Sequence, residues 1–150
     1  MWLSPFLEII CIGNELLIGK TLNTNAHWLA RRITSLGMNV RRITVVSDEV
    51  DEIAAVVKEA IQRRPNYIII TGGLGPTFDD KTLAGIAAAL GTELDENTEA
   101  LKMVTKTYQR YVAEGRIEKF DMTPPRVKMA RLPKGSTPLP NPVGTAPGVL

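Results

Sequence analysis

Apolar residues recur along this chain with two alternating periods, and the alternation predicts strands and helices in turn. The run Phe6-Leu7-Glu8-Ile9-Ile10-Cys11-Ile12 reads as a first strand. Asn23-Thr24-Asn25 then offers caps for a helix to about Leu36, with Ala26, Leu29, Ile33 and Leu36 on one face and Gly37 as its stop. A second strand runs from Asn39 to Ser47 through Val40, Ile43, Val45 and Val46. A helix over about residues 50–64 repeats Ile53, Val56, Val57, Ala60 and Ile61 at the helical period, and Pro65 prevents its continuation. Tyr67-Ile68-Ile69-Ile70-Thr71 has so little polar alternation that it reads as a central parallel strand covered on both faces. A third helix, Lys81 to Leu90, is closed by Gly91, and a fourth, about 97–115, carries Leu101, Val104, Tyr108 and Val112 in register.

Three strands joined by helices imply an α/β fold with a mostly parallel, Rossmann-like sheet between helical layers. Ligands of such sheets sit at the carboxyl ends of the strands. The loops after the three strands, holding Gly13-Asn14-Glu15, Asp48 and Gly72 to Asp80, are therefore expected to open on one edge. Beyond Gly115 the chain changes character: Thr123-Pro124-Pro125, Pro133-Lys134-Gly135 and the stretch from Pro138 to Gly148 hold most of the ten prolines, and loop is expected. Within it, Gly144-Thr145-Ala146-Pro147-Gly148 looks like a second rigid ligand loop, with small residues allowing close backbone approach. Val149-Leu150 reads as the start of another strand, so a single domain over 1–150, truncated or partly represented at its C-terminal end, is expected.

The densest chemistry lies in Thr71-Gly72-Gly73-Leu74-Gly75-Pro76-Thr77-Phe78-Asp79-Asp80, which joins the third strand to the third helix. Three glycines in four positions let successive backbone N–H groups converge on an anion, and the helix that follows adds its N-terminal partial positive charge. A nucleotide or another phosphorylated ligand is the expected occupant. The plainer alternative is a tight turn in which Asp79 or Asp80 caps the helix. The run is neither a Walker A loop nor G-x-G-x-x-G.

A length of 150 residues fits one domain with a substantial core, and 44% hydrophobic with 23% charged residues is ordinary for a globular protein. With 18 basic and 16 acidic residues the net charge of +2 gives no reason to expect a nucleic-acid or membrane partner. Cys11 is the single cysteine and is expected as a buried strand thiol. No apolar run approaches the roughly 20 residues of a membrane span, no signal-peptide pattern opens the chain, and a cytoplasmic location is expected. One histidine, His27, and one cysteine cannot build a structural zinc site, so His27 receives no role. The pairs Arg31-Arg32, Arg41-Arg42 and Arg63-Arg64 fall on different elements and read as solvated, and no Ser/His/Asp spacing suggests a triad.

Five ordered blocks resemble a known family. They are Gly13 to Gly19, Asn23-Thr24-Asn25, Val46-Ser47-Asp48, Thr71 to Thr82, and Leu139 to Gly148. Together they resemble the molybdopterin-binding (MoaB/Mog-like) domain of molybdenum-cofactor biosynthesis proteins, and above all the N-terminal domain of CinA-type competence/damage-inducible proteins. The resemblance implies a three-layer α/β/α sandwich, a site for pterin or nucleotide phosphates, and homo-oligomers, dimers or trimers. CinA-like members resemble nucleotide pyrophosphatases that use a divalent cation on ADP-ribose or related dinucleotides; other relatives adenylylate molybdopterin or help insert molybdate. By the family's pattern, Gly72, Gly73, Gly75, Asp48 and Asp80 serve the site here, Asp48 and Asp80 as catalytic residues and ligands of Mg²⁺ or a similar hard cation. Gly13, Asn14, Glu15, Thr71, Leu74, Pro76, Asp79, Gly144, Thr145 and Ala146 join them as ligand-binding candidates. Glu15 is a candidate base or metal ligand, and Lys20 or Lys81 a partner for a phosphate oxygen. Asn14 stands where bacterial members often have aspartate, and Leu74 replaces threonine, which favours the CinA-like branch over the adenylyltransferases. A noncatalytic binding or regulatory module is a further reading of the same loops.

Overall fold

The computed structural model describes residues 5–150. Its first half contains β1 (Phe6–Ile12), α1 (Asn14–Leu17), α2 (Thr24–Ser35), β2 (Asn39–Val46), α3 (Val50–Gln62), β3 (Tyr67–Thr71) and α4 (Thr82–Leu90). The second half holds β4 (Leu94–Glu96), α5 (Thr98–Ala113), α6 (Pro124–Lys128), β5 (Arg131–Pro133), β6 (Pro138–Leu139) and β7 (Gly148–Val149).

β1, β2 and β3 form a parallel sheet in the order β2-β1-β3. Alternation along β1 feeds two cores. Leu7, Ile9 and Cys11 pack against Ala26 and Ile33 of α2 on one face. Ile10 and Ile12 pack against Ile53, Val57 and Ala60 of α3 on the other, joined by Ile86 and Ala89 of α4. The result is the expected three-layer α/β/α sandwich, with Cys11 fully buried as anticipated. α3 and α4 approach so closely that a Cβ at Gly85 would lie 2.3 Å from Ile53 Cγ2.

The central strand, however, is β1 and not β3. β1 is paired on both sides, whereas β3 is paired on one side among the described residues, which leaves Tyr67 61% exposed and Ile68, Ile69 and Ile70 half-buried. An apolar run reports covered faces but cannot say whether an edge is paired. Leu36 and Ile61, expected on buried helix faces, are exposed at the ends of their helices.

Asn23 caps α2 by accepting the Ala26 N–H at 3.1 Å, and Asn97 caps α5 through Ala100 in the same way at 2.9 Å. Gly91 ends α4 in the left-handed conformation at φ 64, as its position suggested. The proline-rich tail carries more structure than the expected loop. α6 starts with two prolines where missing N–H groups cost nothing, β5 pairs antiparallel with β4, and Val149 belongs to β7, antiparallel to β6. Ala100, Ala130 and Leu132 form a third cluster that reaches Leu83 of α4 and so sets this region beside the helix after the glycine loop.

Toward the N-terminal end of the sheet, a buried carboxylate pairs with a partly exposed arginine. Glu8, 2% exposed in the middle of β1, accepts both Nε and Nη2 of Arg63 at 2.8 Å. Those hydrogen bonds hold the Glu8 carboxyl below its ordinary value of 4.5, burial opposes them, and the charges of Arg63 and Arg42 assist.

Candidate functional site

A sheet ordered β2-β1-β3 reverses direction between β1 and β3, and such a switch point opens a crevice beyond the strand ends. Here the peptides leaving β1 and β3 touch. Gly72 has φ 148, and a Cβ on it would lie 2.7 Å from the Ile12 carbonyl oxygen and 2.6 Å from Ile12 Cβ, so glycine alone fits. Gly13 is buried for a different reason. A side chain there would meet the Glu15 carboxylate at 2.5 Å, because Glu15 folds back over residue 13.

The glycine loop is wound around Asp80. A Cβ at Gly73 would lie 2.6 Å from Asp80 Oδ1, and one at Gly75 would lie 2.8 Å from Oδ2. Asp80 Oδ2 accepts the Thr77 N–H at 2.9 Å and the Thr77 hydroxyl at 2.5 Å, while the Asp80 N–H donates to Thr77 O at 3.2 Å. Neither Asp79 nor Asp80 caps α4: its N-cap is Lys81, with no side-chain bond. The capped-turn alternative therefore fails, because the Asp80 carboxylate is used on its own loop. Among the described residues the N–H groups of Gly73, Leu74 and Gly75 have no protein acceptor. They lie beside the start of α4, whose own first N–H groups carry partial positive charge.

The other two loops join this edge. Asp48, after β2, accepts the Asn14 N–H at 2.8 Å and so steadies the first residue of α1, the short helix that replaces the expected loop. Lys81 donates to both Glu49 oxygens, at 3.1 and 3.3 Å, tying the β2–α3 loop to the start of α4; its Nζ also lies 5.4 Å from the Phe78 ring. Thr71 and Pro76 are half-buried at the two ends of the loop, while Asp79 and Lys20 are exposed and have no ion pair among the described residues. At the first turn of α4, Thr82 is 1% exposed with its hydroxyl unpartnered among the described residues.

Carboxylate oxygens are the donor type that a hard divalent cation takes. Asp48 and Asp80 each commit Oδ2 to the protein and leave Oδ1 without a hydrogen bond among the described residues. No group of three acidic, histidine or cysteine side chains gathers among the described residues, so a cation taken by these carboxylates would draw most of its octahedral shell from water and ligand oxygens, as is usual for Mg²⁺.

Two further contributors come from the second half of the chain. Lys128, at the end of α6, donates to the carbonyl oxygens of Thr77 and Asp80, the latter at 2.7 Å, and so holds the glycine loop from outside. With Arg131 it walls a narrow cleft of about 40 Å³ against Gly73, Gly75 and Asp80. No local motif marks either residue, since the Lys128 bonds span 48 and 51 positions and the Arg131 bond to Leu94 O spans 37. The second expected ligand loop is also ordered. Asn141 accepts the N–H groups of Val143 and Gly144 at 3.0 Å and donates to Ala146 O at 2.8 Å. Thr145 reaches Met129 Sδ at 3.5 Å, next to Lys128, so α6 is the link between Gly144, Thr145 and Ala146 and the glycine loop.

Comparison with known proteins agrees with the fold. Residues 8–150 match the family described as "Probable molybdopterin binding domain". A protein from Sulfurisphaera tokodaii is 54% identical over 97% of this chain, and one from Pyrobaculum arsenaticum is 52% identical over 99%. The chain covers 52% and 53% of those two, so it spans about half the length of the curated relatives it matches. Among solved structures, CinA from Thermoplasma acidophilum superposes with a TM-score of 0.84 at 40% identity, covering 96% of this chain and 80% of that one. The tungsten cofactor synthesizing protein MoaB from Pyrococcus furiosus shares the fold alone, with a TM-score of 0.54 at 18% identity over 76% of this chain and 69% of its own. A parallel α/β sandwich with an Asp80-centred glycine loop at its switch point, matched over nearly its whole length, places the chain in the molybdopterin-binding domain family, on its CinA-like side.

Proposed function

We propose that the domain binds a nucleotide or pterin phosphate at the β1/β3 edge and acts there as a metal-assisted hydrolase of a nucleotide diphosphate bond of the ADP-ribose type. The observation that carries this is the glycine loop itself: three amide N–H groups without acceptors among the described residues, fixed by one aspartate beside a helix N-terminus. In this reading the N–H groups of Gly73, Leu74 and Gly75 hold the diphosphate, while Asp48 and Asp80 would hold the cation. A divalent cation supplies charge neutralisation at the leaving phosphate and orientation of a water. Glu15, turned back over Gly13 at the same edge, takes the water's proton.

One observation favours a second reading, binding of a phosphorylated pterin or nucleotide without turnover. Both aspartates already spend an oxygen on holding loops, and Leu74 brings no hydroxyl to the ligand. Release of AMP from ADP-ribose, FAD and NAD with Mg²⁺, Mn²⁺ or Co²⁺ separates the two. Metal-dependent release supports hydrolysis, and its absence with every substrate, in folded protein that still binds ligand, leaves the binding reading. The same proposal includes a cytoplasmic location and a dimer or trimer, for which the exposed Ile18, Leu22 and Trp28 supply apolar surface; light scattering on the purified protein reads the oligomer. No described helix is long and apolar enough to cross a membrane.

A further inference from the structure

The cleft under the glycine loop, about 40 Å³, is far too small for a nucleotide, since ligand sites run to about 300–1,000 Å³. A second cavity of about 380 Å³ shares two of its walls, Lys128 and Arg131. Its remaining lining is apolar: Met122, Pro124 and Val127, the last two on α6. From the glycine loop outward, the lining thus passes from Gly73, Leu74 and Gly75, whose amides lack acceptors among the described residues, to two cations and then to an apolar shelf.

We infer that this shelf is the base subsite of a nucleoside phosphate whose phosphates lie at the glycine loop, and the inference rests on the nucleotide reading above. The order of groups matches such a ligand from one end to the other. Phosphate oxygens meet N–H donors, Arg131 offers the guanidinium N–H groups not used on Leu94 O, and a planar, weakly polar base covers Met122, Pro124 and Val127. Lys128 is a positioning residue here, because its ammonium is already spent on Thr77 O and Asp80 O. The ligand class that follows is one carrying an aromatic base, in preference to a bare sugar phosphate or inorganic diphosphate.

The test compares AMP with ribose 5-phosphate by titration calorimetry on the wild type, Val127→Asn and Phe78→Ala. Val127→Asn adds no charge beside the phosphates and changes a half-buried side chain on a short helix. The expected result is a loss of about tenfold in AMP affinity for Val127→Asn with ribose 5-phosphate held within about twofold, the scale of removing an apolar contact from a binding pocket. Phe78, 83% exposed at the loop tip, is the rival platform for a base. Loss of AMP preference in Phe78→Ala with Val127→Asn unchanged overturns the inference, as does an equal loss for both ligands or wild-type protein that prefers ribose 5-phosphate or binds neither. Failure of the hydrolase reading looks different: AMP binds in a Val127-dependent way, yet ADP-ribose is not cleaved.

Discussion

Asp80 occupies the space that a side chain at residue 73 would need, with its Oδ1 2.6 Å from the position of a Gly73 Cβ and its own Cα 2.9 Å away. The glycine and the aspartate thus specify one another across the loop. Backbone lies among the colliding atoms, so the clash cannot be relieved by turning a flexible side chain.

Gly73→Ala is therefore expected to displace the loop while leaving the sheet folded. Overpacking of this kind costs about 1–3 kcal/mol, and a shift of about 1 Å in a site can cost about a hundredfold in rate. Thermal unfolding and ADP-ribose titration on the same sample check it: a modest loss of stability with a large loss of affinity is the expected pair.

Lys128→Met removes both bonds that hold the loop from α6. The amide of Asp80, bonded to Thr77 O, should then exchange with solvent faster, while amides in β1 stay protected. Unchanged exchange at Asp80 would show that the loop holds its shape through Thr77 and Asp80 alone.

Removing the Glu8 carboxylate is expected to matter most at neutral pH. Its value is held below 4.5 in the fold, so the stabilisation is complete above that pH and disappears as pH falls through the lower folded value. The difference in Tm between wild type and Glu8→Gln should shrink on acidification from pH 7 to below pH 4.5, as read by circular dichroism. A difference constant across that range would contradict the ion pair.

Gly85→Ala sets two effects against each other. Alanine gains about 1 kcal/mol of helix propensity over glycine, but overpacking costs about 1–3 kcal/mol. With Ile53 Cγ2 at 2.3 Å and Ile53 Cβ at 2.5 Å, the collision should win and Tm should fall. A rise would mean that α3 and α4 can separate at little cost.

Much of this was readable from local pattern. The alternation in Phe6–Ile12 marks the strand that feeds both cores, and the glycines after Thr71 mark the loop at its neighbour's end. Pattern misplaced the centre of the sheet, because Ile68-Ile69-Ile70 records apolar faces while pairing at an edge depends on other strands. It also offered Asp80 as a cap of α4, when its carboxylate bonds Thr77, three residues away, in a geometry set by the loop itself. Lys128 and Arg131 carried no signal, since a cation in a proline-rich stretch looks solvated until the fold brings it against residues about fifty positions earlier.

The central claim is that ligand phosphates rest on the amides of Gly73, Leu74 and Gly75. Titrating ADP-ribose with Mg²⁺ into isotope-labelled protein and following backbone amide resonances tests it directly. The account predicts the largest shifts at those three amides, lost in Asp80→Asn. Binding that leaves them unmoved while resonances elsewhere shift would contradict it.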